Sequence, residues 1–175
     1  FFMTRREEDE SFVDVRELHG YTPWYYFPDM AAKYDCAWKQ LIHPDGFLAP
    51  YGPTTAERRH PGFRIARDGH ECQWNGPSWP FATSVTLTGL AHLLQKRESA
   101  EVNRRSFFET LICYTRSHYL RENGRTIPWI DENLDPFTGT WLAREIMSSW
   151  LNSGIKRSSM FHERGKDYSH STYAD

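Results

Sequence analysis

The sequence predicts an all-α fold with long loops, and three features support this. Three stretches of the 175-residue chain carry apolar residues at three- and four-residue steps, which places those residues on one face of a helix. No run of alternating apolar and polar residues indicates a strand. Long segments rich in proline and glycine separate the helical stretches. Paired helices whose long loops carry functional side chains at one end are typical of a helical barrel rather than a bundle.

The first element is a predicted helix over Pro28–Ile42. The chain before it begins apolar and becomes charged over Arg5–Glu10, which indicates a solvated helix face or a loop. Pro28 suits the first turn of a helix, because proline has a fixed φ and no N–H to lose there. His43–Gly46 has turn-forming residues and should end the helix.

A long loop follows over residues 43–82, without a convincing period. Loops of this length are uncommon in compact domains and are usually functional. Thr83 or Ser84 is expected to cap the second helix, and a third is expected over about residues 102–120, closed by Asn123 and Gly124 as a left-handed cap. The expected buried positions of these two helices are Leu87, Leu90, Ala91, Leu94, Phe107, Phe108, Leu111, Ile112, Tyr114 and Thr115.

Composition narrows the function classes. Hydrophobic residues make up 39% and charged residues 25% of the chain, which predicts a globular protein. A formal net charge of −2 gives no general attraction to nucleic acid, so no nucleic-acid partner is expected. No apolar run approaches the roughly 20 residues that span a bilayer, so no membrane partner is expected.

Cysteine and histidine usage argues against a metal or redox centre. Cys36, Cys72 and Cys113 are far apart and odd in number, and no C-x-x-C pair occurs, so we expect reduced, buried thiols. The eight histidines lack H-E-x-x-H spacing. We therefore expect neither a protein-built metal site nor a cofactor.

Aromatic residues are abundant, at 15% of the chain, and many lie beside Gly, Pro, Asn and Asp. Flat rings on loops can stack on the apolar faces of sugars, although most aromatic residues pack a core. Two loop segments combine rings with polar groups. Trp74–Pro80 places two tryptophans before a helix, and Asp131–Gly139 holds three carboxylates beside Trp129, where a carboxylate could activate water. Alternatively, the first is a packing turn and the second only shapes a turn or caps a helix.

Taken together, the segments resemble glycoside hydrolase family 63, which includes processing α-glucosidases and, close by, mannosylglycerate and glucosylglycerate hydrolases. Trp74–Pro80 is similar to that family's Tyr-Trp-Arg-Gly-Pro-Ile-Trp signature, with Asn75 in place of the arginine. Glu132–Gly139 is similar to its Glu-Tyr-x-x-Pro-x-Thr-Gly. Gly20–Trp24 and Tyr51–Thr55 also resemble mannosylglycerate-hydrolase-like domains, and the similarity covers most of residues 17–175.

The resemblance implies a partial (α/α)6 toroid, with residues 1–175 forming the C-terminal portion of one catalytic domain, truncated at both ends. It implies an inverting glycosidase acting on an α-glucoside or α-mannoside, such as a glycosylglycerate or an oligosaccharide, with Glu132 as general base. No segment matches the motif of the general acid, so the remainder of the barrel is expected upstream and downstream and the fragment alone should be inactive. The expected sugar-binding residues are Trp74, Gly76, Trp79, Trp129, Tyr51 and His170.

Other function classes stay open on the sequence. A non-catalytic carbohydrate-binding helical domain would use the same aromatic residues without turnover. An isomerase or epimerase on a related barrel would rely on positioned histidines, which here lie outside the two segments. A structural helical-repeat protein would not bring Trp74, Trp79 and Glu132 together.

Overall fold

The computed structural model describes residues 1–65 and 74–142. Within them the chain forms a 3-10 helix at Leu18–Tyr21, helix α1 at Thr22–Tyr26 and a second 3-10 helix at Ala32–Gln40. Helix α2 at Pro80–Lys96 and helix α3 at Arg104–Arg116 follow, and then strands β1 at Tyr119–Glu122 and β2 at Arg125–Pro128.

Helix α2 is the central element of the described fold. It begins at Pro80, and its N-cap residue is the extended Trp79, four or five positions before the predicted caps Thr83 and Ser84. The backbone N–H and hydroxyl of Thr83 donate to the Trp79 carbonyl, at 2.9 and 3.0 Å. Gly89 lies against α1, where a Cβ would come within 3.3 Å of Trp24, so glycine lets the two helices approach closely.

The hydrophobic core lies where α1 and the 3-10 helices pack on α2. Aromatic rings contact one another within it: Tyr21 stacks on Trp38 with ring centroids 4.3 Å apart, and Trp24 meets Trp38 edge-on at 5.4 Å. Most of the aromatic residues upstream of α2 thus pack the interior, as expected if they form a core rather than a sugar-binding surface. The buried members of this core include Leu18, Tyr21, Trp24, Trp38, Leu41, Phe47, Trp79, Leu90, Leu93 and Val102.

Asp35 connects three parts of this core. Its carboxylate accepts from Arg97 Nε at 2.6 Å and Arg97 Nη2 at 2.9 Å, a bidentate ion pair just after the end of α2. It also accepts from the Trp24 indole N–H at 2.8 Å. One side chain thereby fixes α1, the second 3-10 helix and the C-terminal end of α2 relative to one another.

Helix α3 packs against α2, and a capping box holds its N-terminus. The Asn103 side chain accepts from the N–H groups of Arg105 and Ser106, while the Ser106 hydroxyl accepts from the Asn103 N–H, a reciprocal capping box. Its predicted buried face is only partly covered, since Phe108 is 59% exposed and Thr115 is also exposed.

The expectation that the chain contains no strands is wrong for the residues that follow α3. Helix α3 ends at Arg116, and Asn123 and Gly124 turn a β-hairpin that pairs Tyr119 with Pro128 in antiparallel register. Both turn residues have positive φ, +52° and +73°, as a two-residue type I′ hairpin turn requires. Asn-Gly serves both a helix cap and a hairpin turn, and the four-residue strands are too short to show an alternating pattern.

Other expectations also need correction. The predicted helix at Pro28–Ile42 is a shorter 3-10 helix, and Pro28 lies outside it. Cys36 is exposed rather than buried, whereas Cys113 is half-buried and its burial raises the pKa of its thiol. Cys72 lies outside the described residues. The described chain is therefore helix-rich with one small sheet.

Candidate functional site

The two segments singled out in the sequence are joined by a pair of backbone hydrogen bonds. Ser78 and Leu134 each donate their N–H to the other's carbonyl, both at 2.9 Å, in an isolated antiparallel bridge. Leu134 also bridges to Trp141 on its other side. The segment around Ser78 thus lies beside the one around Leu134, although the two residues are 56 positions apart in the sequence (Ser78 to Leu134).

Glu132 lies two residues before this bridge and its side chain is enclosed by protein. Asp131 is 1% exposed and Glu132 is 3% exposed. The Asp131 carboxylate accepts from the Glu132 N–H at 2.8 Å, and the Asn133 carbonyl accepts from the Leu142 N–H at 3.1 Å. The backbone on each side of Glu132 is therefore held by specific hydrogen bonds.

Asp135 shapes the turn that follows Glu132. Its carboxylate accepts from the N–H groups of Phe137 at 2.8 Å and Thr138 at 3.2 Å, an Asx-type turn. Its carbonyl accepts from Gly139, whose φ is +76°. The structural interpretation of a turn-forming acid thus applies to Asp135, and Glu132 remains the candidate base.

The Tyr51 segment supports both loops. The Tyr51 N–H donates to the Pro136 carbonyl at 3.0 Å, and its ring covers Gly139 so closely that a Cβ there would lie 2.7 Å away. Four residues on, Thr55 donates its N–H and its hydroxyl to the Pro77 carbonyl, at 3.2 and 2.8 Å. Three separate stretches of sequence therefore meet at one place.

Gly76 is buried in the first loop. Its N–H donates to the Thr55 hydroxyl at 3.1 Å. The Arg64 carbonyl lies so near its Cα that a Cβ would not fit. The structure gives Gly76 a role in letting two backbones approach, next to Asn75, whose carbonyl accepts from the Arg64 N–H at 3.0 Å.

The two tryptophans of the first loop form a stack with a third ring. Trp74 lies 4.5 Å from Trp79 and 4.3 Å from His19 between ring centroids, and each pair is inclined by 22°. The rings of His19 and Trp79 are both nearly parallel to the Trp74 ring and within 4.5 Å of its centroid, so they would clash with each other if they lay on the same face of Trp74. They therefore cover opposite faces of Trp74. His19 is exposed and ends the stack toward solvent.

The remaining predicted sugar-binding residues are placed differently. Trp129 is half-buried and packs against a small cluster that contains Leu120, Leu134 and Trp141, so it lies near the same loop as Glu132. His170 lies outside the described residues. The assigned roles of Glu132, Tyr51, Trp74, Gly76, Trp79, Trp129 and His170 stay predictions.

Sequence inspection missed two residues that organise this region. The sequence marks Thr55 only as part of a motif that resembles the family, whereas in the structure its hydroxyl donates to the Pro77 carbonyl and accepts from the Gly76 N–H. His19 lies in a charged upstream stretch and carries no local signal. Its stacking on Trp74 depends on contacts across 55 positions, which only the folded chain reveals (His19 to Trp74).

Residues 1–65 and 74–142 contain no group of three His, Cys, Asp or Glu side chains arranged to hold a metal ion. Among the same residues, no helix is long and apolar enough to cross a membrane.

Comparisons with known proteins agree with the motifs. The family described as "Mannosylglycerate hydrolase MGH1-like glycoside hydrolase domain" matches residues 1–171. A solved chain named "Sialidase" is 39% identical, with a TM-score of 0.71, over 99% of this chain and 14% of that one. This chain therefore spans about one-seventh of the length of that structure. The search of curated proteins finds no match. The chain belongs to the mannosylglycerate hydrolase MGH1-like glycoside hydrolase domain family.

Proposed function

We propose that this domain hydrolyses glycosidic bonds with inversion, and that Glu132 is the general base. The observation that carries the proposal is the Ser78–Leu134 backbone pair, which joins the tryptophan loop to the loop that holds Glu132. A buried carboxylate whose backbone is held by hydrogen bonds suits the activation of one water molecule. Family membership supports the reaction class.

In this mechanism the Glu132 carboxylate takes a proton from water as the water oxygen attacks the anomeric carbon. A carboxylic acid on the opposite face protonates the departing glycosidic oxygen, and such pairs lie about 6.5–9.5 Å apart to leave room for the water. We assign the acid to the part of the protein upstream of Phe1, because no segment here resembles the acid motif. Residues 1–175 alone should then be inactive.

We further propose that α2 and α3 are part of an (α/α)6 barrel completed by chain upstream and downstream. Their mutual packing supports the assignment of a helical pair. The substrates that we favour are α-glucosides or α-mannosides, such as glycosylglycerates or oligosaccharides, since the matching family is described by a mannosylglycerate hydrolase. A sialoside is the competing substrate, because a similar solved chain is named a sialidase.

The test uses the full-length protein that carries this chain. Aryl α-glucosides, aryl α-mannosides, mannosylglycerate, glucosylglycerate and an aryl sialoside are offered, and the anomer released first is identified by proton NMR. Glu132→Gln should lower kcat by about 10²–10⁴-fold, the contribution typical of a general base. In Glu132→Ala, added azide should restore turnover and give a glycosyl azide of inverted configuration.

Glu57→Gln is the matched control. Glu57 is also a buried glutamate, but it pairs with Arg16 at 2.8 Å and Arg59 at 3.4 Å. Its loss should lower the melting temperature and leave turnover intact below it. Sugar binding with no turnover in the full-length wild type, unchanged in Glu132→Gln, would instead establish the non-catalytic carbohydrate-binding alternative.

A further inference from the structure

Two adjoining cavities lie along α1, on the side of the His19–Trp74–Trp79 stack where His19 is exposed. They share His19, Thr22 and Tyr26 as lining residues. One has a volume of about 330 Å³ and extends toward Glu17, and the other has about 190 Å³ and extends to Phe81 at the start of α2. We call the two cavities together the α1 groove.

The α1 groove combines rings with hydrogen-bonding groups. Its exposed rings belong to Tyr26, Phe27 and Phe81. Glu17 supplies a half-buried carboxylate, one oxygen of which accepts from the Thr4 hydroxyl at 3.0 Å, and a carboxylate has capacity for further donors. Apolar walls with a few polar groups are typical of small-ligand sites, commonly about 300–1,000 Å³. A pyranose matches this mixture, because its C–H faces are apolar and its edge carries hydroxyls.

The groove is tied to the candidate catalytic loops by direct contacts. Next to Glu17, Leu18 donates its N–H to the Thr55 carbonyl at 2.8 Å, and Thr55 holds Pro77 in the tryptophan loop. The ring stack makes a second connection, because His19 covers the outer face of Trp74. Phe81, at the far end of the groove, follows Trp79 by two residues. A ligand in the groove would therefore lie on the same packed unit as the Ser78–Leu134 pair.

We propose that the α1 groove binds at least two consecutive sugar units of an α-linked oligosaccharide, on the same packed unit as the loop that carries Glu132. This inference rests on the proposed hydrolase function. Two cavities in series, lined by rings along their length, fit a short chain of sugars better than a single one. The outer face of His19 and the ring of Tyr26, shared by both cavities, form the junction between the two units.

The test measures how affinity depends on chain length. Full-length Glu132→Gln protein is titrated by calorimetry with α-linked gluco- and manno-oligosaccharides of one, two and three units. The Kd should fall from one unit to three. Tyr26→Ala should weaken binding of the trisaccharide by roughly three- to tenfold, the range that one aromatic contact supplies, and should remove most of the gain with length.

Phe12→Ala is the matched control, because Phe12 is 64% exposed against 63% for Tyr26 and lines neither cavity. A Kd that does not change with chain length, or equal effects of Tyr26→Ala and Phe12→Ala, would overturn the groove. That result is separable from failure of the hydrolase proposal, which is judged by Glu132-dependent cleavage of aryl glycosides with one sugar. Tyr26-dependent oligosaccharide binding without any turnover would support the groove and overturn the hydrolase.

Discussion

Ser78 and Leu134 exchange both of their backbone hydrogen bonds, each 2.9 Å long, although no helix or extended strand contains either residue. This single bridge fixes the register between the tryptophan loop and the loop of Glu132. Backbone groups that are buried must find partners, and here each loop satisfies the other. The candidate site is thus built by two loops pairing rather than by a preformed sheet.

Breaking the bridge should loosen both loops together. Leu134→Pro removes the N–H that donates to Ser78, so amides of both loops should exchange faster with deuterium, while amides of α3 keep their protection. Hydrogen exchange of the full-length protein, read by mass spectrometry, measures this. Leu134→Met keeps the N–H and the bulk and serves as control. Continued protection of the Ser78 segment in the proline variant would show that the bridge is not what holds it.

Gly139 should be intolerant of a side chain for two reasons. Its φ is +76°, and a Cβ would lie 2.7 Å from the Tyr51 ring. Gly139→Ala should therefore destabilise the domain by about 2–4 kcal/mol, from backbone strain plus overpacking. Denaturant unfolding of the full-length protein provides the measurement.

Gly124→Ala separates the two reasons. Gly124 has nearly the same φ, +73°, but nothing lies within 4 Å of the Cβ position. This variant should lose only about 1–2 kcal/mol, the strain alone. Equal losses for the two variants would mean that Tyr51 does not pack tightly on Gly139.

The Asp35 carboxylate should contribute far more than an exposed ion pair. Asp35→Ala removes the acceptor for Arg97 and for the Trp24 indole, and should cost about 2–4 kcal/mol. Asp29→Ala is the control. Asp29 forms an equally short ion pair, with Lys96 at 2.6 Å, but that pair is exposed to solvent, so its loss should change the unfolding midpoint little. Comparable losses for both would contradict the role given to Asp35.

Alkaline pH should destabilise the domain through Tyr21. Burial raises the pKa of the Tyr21 phenol well above its ordinary value of 10.0, and its hydroxyl donates to the Ala37 carbonyl at 3.0 Å. The unfolded chain loses this proton at a lower pH than the folded one, so the stability is full below pH 10.0 and falls as pH rises above it.

Tyr21→Phe should lower stability at neutral pH by about 1 kcal/mol, because one hydrogen bond is lost. It should also flatten the fall above pH 10.0, when thermal melting is recorded at a series of pH values. Parallel pH profiles for the wild type and the variant would show that another group causes the alkaline loss.

The amino-acid sequence alone determined the helix-rich character, the position of α2 and the two candidate loops. An apolar stripe at helical spacing and a run of Trp, Gly and Pro are local signals, which can be recognised without knowing what the segment packs against. The family resemblance, confirmed over residues 1–171, came from the order of short motifs in the same way. The Asn123–Gly124 turn was misassigned because Asn-Gly has the same positive φ values in a helix cap and in a hairpin.

Only the tertiary structure decided which rings meet and which carboxylates are enclosed. The stack of His19 on Trp74, the pairing of Ser78 with Leu134 and the burial of Glu132 each depend on residues distant in the chain. Such contacts form because the folded chain as a whole buries its apolar rings and gives its buried backbone groups hydrogen-bond partners. A residue's neighbours along the chain do not specify them, and so the α1 groove has no counterpart in any single stretch of sequence.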